Sequence, residues 1–213
     1  MNKVSESAVR RLSLYLRFLQ EAQDAGVATL SSDQLAARGG TTSAQVRKDL
    51  SLFGSFGKRG LGYPVPDLLR RVREILGLDR RWNVALVGAG KIGSALFSYR
   101  DFERRGFGIC AVFDSDPGKV GDRWGSLLVR PDADLDRALR DERIDIVILA
   151  VPAEAAQGLV ERIAGVGVRA VLNFAPVRLR TPEWMALRNV DMSVELEGLS
   201  FALNHDAALR AHG

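Results

Sequence analysis

Val9, Leu12, Leu16 and Leu19 recur at the spacing of one helical face, with Arg10, Arg11 and Arg17 off that face. This pattern predicts an opening helix that ends near Gly26. Ser31 followed three residues later by Gln34 is a capping-box pattern and opens a short helix stopped at Gly39-Gly40. The pattern repeats at Thr42 and Gln45, which open a third helix with Val46, Leu50 and Phe53 facing inward and Arg47, Lys48 and Ser51 outward. Residues 54–64 are glycine-rich with Lys58 and Arg59 near the middle, and read either as a β-hairpin wing or as a flexible surface loop. Pro66 at a first helical position begins a fourth helix with Leu69, Val72 and Leu76 as its face and Gly77 as its stop.

Beyond a charged joint at Asp79-Arg80-Arg81 the pattern changes to short apolar runs alternating with helical segments. Val84 to Val87 reads as a strand and is followed by a helix carrying Ile92, Leu96 and Tyr99. Ile109 to Phe113 reads as a second strand and Ile144 to Val151 as a third, buried and parallel. A helix with Ala156, Leu159, Val160 and Ile163 follows, then a strand from Ala170 to Asn173 that runs into Phe174-Ala175-Pro176. The last twenty residues form one helix with Leu196, Leu199 and Leu203 on one side. That stripe has no further chain to cover it, so it folds back on its own domain or packs on a second copy.

Charge sharpens this division. Residues 1–82 carry 14 Lys and Arg against 8 Asp and Glu, a net of +6, whereas residues 83–213 carry 16 against 18, a net of −2. A positive excess confined to the first part is expected if only that part meets a polyanion. Two short capped helices after a longer one match a helix-turn-helix whose second member enters the major groove of DNA. Gln45, Arg47, Lys48 and Ser51 are the candidate readers on that helix. Arg can pair with guanine and Lys neutralises phosphate. Lys58 and Arg59 are candidates for backbone or minor-groove contacts from the wing.

The second part carries Gly88-Ala89-Gly90-Lys91-Ile92-Gly93 between the first strand and its helix, the context in which Gly-x-Gly-x-x-Gly binds a dinucleotide. Gly88 permits the tight turn, Gly90 the approach of the pyrophosphate, and Gly93 close helix packing. Asp114, about twenty residues on, is placed to bond the adenosine ribose and repel a 2′-phosphate, which favours NAD. Lys119 and Arg123 follow closely and are the cations that could accommodate that phosphate instead. Val151, Pro152, Asn173 and Phe174, at strand carboxyl ends, are candidates for the nicotinamide side of the crevice.

Several classes are disfavoured. No apolar run reaches membrane-spanning length and residues 1–6 lack a signal-peptide core, so a cytoplasmic protein is expected. The single cysteine, Cys110, excludes an internal disulfide and reads as a buried small side chain before a reactive thiol. Hydride transfer to a carbonyl needs a proton donor, yet both histidines, His205 and His212, fall in the last ten residues, and Tyr99 has Glu103 rather than Lys four residues on. No catalytic or metal site is expected. A ligand-controlled switch therefore stands ahead of a small NAD-dependent oxidoreductase with a basic accessory domain, and ahead of a DNA-binding protein using a degenerate Rossmann domain only to dimerise.

The joint order of Tyr15-Leu16-Arg17-Phe18-Leu19, Gln45-Val46-Arg47-Lys48-Asp49-Leu50-Ser51, Gly60-Leu61-Gly62-Tyr63, the glycine fingerprint, Phe113-Asp114, Ala150-Val151-Pro152 and Leu172-Asn173-Phe174-Ala175-Pro176 resembles the Rex family of bacterial redox-sensing transcriptional repressors. The resemblance implies an α/β chain with a winged-helix DNA-binding domain over 1–78, a Rossmann NAD(H)-binding domain over 79–193, and a helix over 194–213 exchanged between the subunits of a homodimer. It also implies release from pseudo-palindromic operator DNA on binding NADH, with NAD⁺ competing for the site and leaving DNA binding possible. By the same resemblance Arg17, Tyr99 and Asp191 form the switch. Met192 departs from the pattern, since some relatives place an aromatic residue there.

Overall fold

The computed structural model describes residues 4–57 and 61–211, with side chains as far as residue 204. The chain splits into two compact units, Met1–Arg80 and Arg81–Gly213.

The first unit is built on α1 (Glu6–Asp24), whose N-terminus is capped by Ser5 Oγ accepting from the Ala8 amide at 3.2 Å. Its buried face is Ala8, Leu12, Tyr15, Leu16, Leu19 and Ala22. Val9, expected on that face, is exposed. The stripe is rotated because the large Tyr15 ring, fully buried, takes its centre. After β1 (Thr29–Leu30) come α2 (Ser32–Gly39) and α3 (Ser43–Ser51). The α2 capping box is complete, since the Gln34 amide donates to Ser31 Oγ at 3.1 Å and the Ser31 amide donates to Gln34 Oε1 at 2.8 Å. The α3 box is half made. Thr42 Oγ1 accepts from the Gln45 amide at 3.1 Å, but the Gln45 side chain turns away to Asp49.

Among the described residues of 54–64 the strand is β2 (Tyr63–Pro64), and it pairs antiparallel with β1 rather than with another limb of the same loop. A Cβ on Gly57 would stand 2.5 Å from the Gly62 carbonyl oxygen, so the two limbs of the loop still approach closely at a left-handed glycine of φ +76°. Lys58 and Arg59 lie outside the described residues. Helix α4 (Val65–Ile75) closes the unit with Val65, Leu68, Leu69 and Val72 buried against α1.

The second unit is a seven-stranded sheet made of β3 (Trp82–Val87), β4 (Phe107–Asp114), β5 (Arg123–Trp124), β6 (Leu127–Pro131), β7 (Ile146–Leu149), β8 (Ala170–Asn173) and β9 (Ala186–Asn189). Its order is β5-β6-β4-β3-β7-β8-β9, parallel except for β5. The chain reverses its direction of winding at β3, between β4 and β7, which opens a crevice beyond the carboxyl ends of those strands. Helices α5 (Lys91–Phe97), α6 (Asp101–Arg104), α7 (Leu135–Asp141) and α8 (Ala153–Gly165) cover the sheet. Ala85 and Val87 enter one buried cluster, Val84 and Leu86 the other, so β3 is apolar on both faces.

Two expectations change here. The third strand is four residues long, because Ile144 and Asp145 precede the ladder and Ala150 and Val151 follow it, where they form a wall of the crevice. Tyr99 lies beyond α5, in the turn to α6, and packs edge-on to Phe102 with ring centroids 5.1 Å apart. Cys110 sits at a β-bulge where Val84 pairs with Ile109 and Ala85 with Ala111, and its thiol donates to the Val84 carbonyl. Burial pushes that thiol pKa up, as for an inert packed side chain.

The chain closes with α9 (Met192–Ala211). Every residue from 191 to 204 is exposed. The expected stripe of Leu196, Leu199 and Leu203 is joined by Met192 on the same side and by Val194 and Phe201 on the opposite side, so α9 bares apolar residues on two faces. Among the described residues no helix is long and apolar enough to cross a membrane.

Candidate functional site

A cleft of about 1000 Å³ opens at the strand ends of the second unit. Its lining includes Gly88, Gly90, Lys91, Ile92, Asp114, Val151, Pro152 and Phe174. The three glycines of the fingerprint are required for different reasons. Gly88 has φ +105°, and a Cβ there would stand 2.3 Å from the Ala150 carbonyl oxygen; at Gly93 it would stand 1.9 Å from the Gly88 oxygen. A Cβ on Gly90 would meet nothing within 4 Å. The protein itself has no need of glycine at position 90, whereas a ligand backbone approaching the helix terminus does, and the residues fit a dinucleotide pyrophosphate.

Asp114 ends β4 beside this loop and is 8% exposed. Its Oδ2 accepts from the Ala89 amide at 2.7 Å and from Lys119 Nζ at 3.3 Å, and its Oδ1 accepts from the Asp116 amide at 2.8 Å. Burial alone would raise the carboxyl pKa. The Asp116 and Ala89 amides together with Lys119 outweigh it and hold the group below the usual carboxylate range. An ionised carboxylate offers about four acceptor positions, so Asp114 keeps roughly one for an incoming hydroxyl. Ala89 is thus a holder of Asp114. Lys119 is also 3.6 Å from Asp116, so its charge is shared between two carboxylates, while Arg123 is exposed on β5 and outside the lining of the cleft.

Asn173 does not line the cleft. Its side chain is 1% exposed and turned inward, with Nδ2 donating to the carbonyls of Ala175 and Val177 and to Asn189 Oδ1, and Oδ1 accepting from the Ala175 amide. It fixes the turn that carries Phe174 and Pro176 into the lining. The sequence pattern missed Asp132, Glu154 and Arg162, which also line the cleft. Arg162 is anchored by Nε donating to Asp136 Oδ1 at 2.9 Å and Nη2 donating to the Asp132 carbonyl at 2.8 Å.

In the first unit α3 turns Arg47, Lys48 and Ser51 to solvent, with Val46, Asp49 and Leu50 buried beneath. Arg47 Nη1 donates to Ser32 Oγ at 3.0 Å and Ser51 Oγ donates to the Lys48 carbonyl at 2.8 Å. Gln45 is half-buried at the edge of this face. Arg17 is exposed on α1 of the first unit, and Tyr99 and Asp191 are exposed in the second, with no hydrogen bond between the latter two. Asp191 Oδ1 accepts from the Ser193 amide at 2.9 Å and so caps α9.

The chain is 47% identical, over 94% of its length and 96% of the relative's, to the redox-sensing transcriptional repressor Rex of Desulforamulus reducens. The chain belongs to the Rex family. Family models agree on both parts, one described as a putative DNA-binding protein N-terminus matching residues 3–51 and one described as a CoA binding domain matching residues 79–177. Two solved structures of the Rex-family repressor RSP are similar across both units. The complex of RSP with β-NAD⁺ and operator DNA matches with a TM-score of 0.93 and 35% identity, covering 99% of this chain and 97% of RSP. Its complex with β-NADH matches with a TM-score of 0.90 and 33% identity over the whole of both chains. The fold read from the sequence, a DNA-binding unit followed by a Rossmann sheet, is that of Rex.

Proposed function

We propose that this chain is a redox-sensing transcriptional repressor that binds pseudo-palindromic operator DNA as a homodimer, is released when NADH binds, and is a regulator rather than an enzyme. One observation carries the reading. The same chain holds a helix-turn-helix face and a glycine cleft whose middle glycine answers to a ligand and to nothing in the protein. RSP, solved with NADH and with NAD⁺ plus operator DNA, supports the same two ligands here.

In this reading Gly88, Gly90, Lys91 and Ile92 hold the pyrophosphate, Gly93 lets the helix pack closely enough to present them, and Asp114 accepts from the adenosine ribose. A 2′-phosphate would enter beside Asp114 and Asp116, both of which repel it, so NAD(H) is preferred to NADP(H). Val151, Pro152 and Phe174 wall the nicotinamide side, and Asn173 positions Phe174. Gln45, Arg47, Lys48 and Ser51 meet the operator, and Lys58 and Arg59 add contacts to it. The domains follow as 1–78, 79–193 and 194–213.

The nicotinamide carries a positive charge when oxidised and loses it when reduced. Discrimination therefore rests on groups that feel this charge, and Tyr99 and Asp191 are assigned that task, with Arg17 kept as a switch residue of the DNA-binding unit. A helix apolar on two opposite faces needs cover on both, which a second copy supplies if α9 is exchanged between subunits. Moving the DNA-competent population from 99:1 to 1:99 takes a differential affinity of about 5.5 kcal/mol.

The test is a titration of operator binding with NADH, NAD⁺ and NADPH in turn at fixed salt, since phosphate contacts make affinity depend on salt. NADH should lower occupancy, NAD⁺ should preserve it, and NADPH should act only weakly. Occupancy unchanged by the oxidation state of the nucleotide overturns the reading, and steady NADH turnover with a small carbonyl substrate overturns the regulator assignment. Asp191→Ala should uncouple the two ligands, and normal NADH release from that variant removes Asp191 from the switch.

A further inference from the structure

Two Gln residues occupy the same place in the same motif and behave differently. Gln34 closes the capping box of α2, whereas Gln45, third residue of α3, leaves its box open and donates from Nε2 to Asp49 Oδ1 at 2.8 Å. Asp49 is 1% exposed and is gripped from α1. Arg11 donates from Nε to Oδ2 at 2.6 Å and from Nη2 to Oδ1 at 2.7 Å, and the Tyr15 hydroxyl, one turn on, donates to Oδ2 at 3.0 Å. Burial alone would raise the Asp49 pKa, but Arg11, Gln45 and Tyr15 together lower it, so the group is ionised and accepts only.

That settles which way the Gln45 amide points. Its NH₂ must face Asp49, because a carbonyl oxygen placed against an ionised carboxylate would set acceptor on acceptor. One N–H is therefore committed inward. Oε1, which takes no donor among the described residues, and the second N–H remain as an acceptor beside a donor. The first turn of a recognition helix is where side chains reach base edges. Adenine presents the complementary pair in the major groove, an N6 donor beside the N7 acceptor; cytosine offers only a donor, while guanine and thymine place an acceptor against Oε1.

We propose that Gln45 is a specificity-determining residue that reads an adenine in each half-site, and that Asp49, clamped by Arg11 and Tyr15, is the positioning residue that fixes the direction of its amide. Reversing the amide to suit guanine or thymine would break the bond to Asp49 and aim an oxygen at a carboxylate. The proposal rests on the DNA-binding reading above.

The test uses the full chain without NADH. A preferred duplex is selected from a randomised pool, and each adenine of one half-site is then replaced in turn by purine lacking the 6-amino group. At one position this replacement should weaken wild-type binding about tenfold, the scale of a good bidentate contact. Gln45→Ala should lose dependence on the 6-amino group at that position alone, with preferences elsewhere and the salt dependence unchanged. Asp49→Asn, no longer an obligate acceptor, should let the amide face either way and reduce discrimination between adenine and guanine there, while affinity for random duplex is kept. Gln45→Glu leaves Asp49 in place and so serves if Asp49→Asn does not fold; it loses the bond to Asp49, is turned outward from it by like charge, keeps only acceptors, and should shift the preference there from adenine to cytosine. Unchanged dependence on every 6-amino group in Gln45→Ala, or a guanine or thymine at the position that Gln45 controls, overturns the inference. Failure of the wild type to enrich any duplex is a different result and overturns the DNA-binding reading itself.

Discussion

Asp49 and Asp114 are two nearly buried carboxylates, one in each unit, held below the usual carboxylate range by opposite means. Asp49 takes four donors, two on each oxygen, all from side chains and mostly from another helix. Asp114 takes three, two of them backbone amides of its own neighbourhood and of the glycine loop. A carboxylate has about four acceptor positions, so the first is saturated and the second is one short. Saturation marks a group that holds protein to protein. The unsaturated group, pre-formed and lying in a cleft, is ready to hold something else.

The strongest way to break this comparison is to delete both. Asp49→Ala strands Arg11 and the Tyr15 hydroxyl, and removing one partner of a well-buried ion pair costs about 3 kcal/mol. Urea unfolding followed by circular dichroism should show the N-terminal unit destabilised by that order, with NADH affinity of the folded fraction unchanged. A loss below about 0.5 kcal/mol, the range of an ordinary surface change, would mean that Asp49 does not join α1 to α3.

Asp114→Ala should reverse the pattern. Its donors are amides that the loop can turn to water, so the main loss is the charged hydrogen bond to the ribose, about 1.5–3 kcal/mol of NADH affinity. Calorimetric titration with NADH and NADPH reads this directly: NADH should weaken by about tenfold or more, and the preference over NADPH should shrink. Equal loss of both nucleotides would show that Asp114 props the loop and does not contact the ribose.

The sequence made Asp114 legible and Asp49 opaque, and the reason is the range of the signal. Asp114 is announced by local spacing, since the glycines, the strand and the carboxylate lie within thirty residues and each has its own physical cause. Asp49 looks like a solvated charge on a basic helix until Arg11 and Tyr15 arrive from 38 and 34 positions away. Their i, i+4 spacing on α1 was the available sign, a cation and a hydroxyl stacked one turn apart and facing the core. The short strands β5, β6 and β9 and the helix α7 escaped detection because they are two to seven residues long and interrupted by Arg, Asp and Pro, too short for either periodicity to develop. Asn173 was legible as a strand end but not as an inward-turned amide, since the same residue type serves both roles. The second apolar face of α9 carries only Val194 and Phe201 within 192–204, two residues seven positions apart and too sparse to register as a stripe beside the leucines.

Acid titration sharpens the comparison further. Both folded pKa values lie below the unfolded value of about 3.9, so between them the unfolded chain binds more protons and stability rises with pH. The stabilisation is present above about pH 4 and is lost as pH falls through the folded values, at about 1.4 kcal/mol for each unit of depression. Measuring the urea midpoint from pH 6 downward should show this acid limb, and Asp49→Asn should flatten it for the N-terminal unit alone. Tyr15 adds an alkaline counterpart, because burial and then its bond to Asp49 push its pKa up to about 12. Its contribution is complete below pH 10 and fades toward 12, and Tyr15→Phe should remove that limb. An acid limb unchanged in Asp49→Asn would place its origin in other carboxylates.

The smallest expected effect separates the two anchors from their outermost donors. Among the described residues Lys119 is the one side-chain donor to Asp114, a partly exposed ammonium at 3.3 Å that also faces Asp116. Exposed pairs of this kind contribute less than about 1 kcal/mol, because solvent screens them and the long side chain loses entropy on docking. Lys119→Met should therefore leave the unfolding midpoint nearly unchanged and NADH affinity within about threefold, below the 1.4 kcal/mol of a tenfold change. Its sharper consequence concerns NADPH. With the cation gone, Asp114 and Asp116 repel a 2′-phosphate without compensation, and the already weak NADPH affinity should fall further while NADH holds. A variant that binds NADPH as well as the parent would show that Lys119 has no influence on the ribose end of the cleft, leaving its selectivity to Asp114 and the backbone amides.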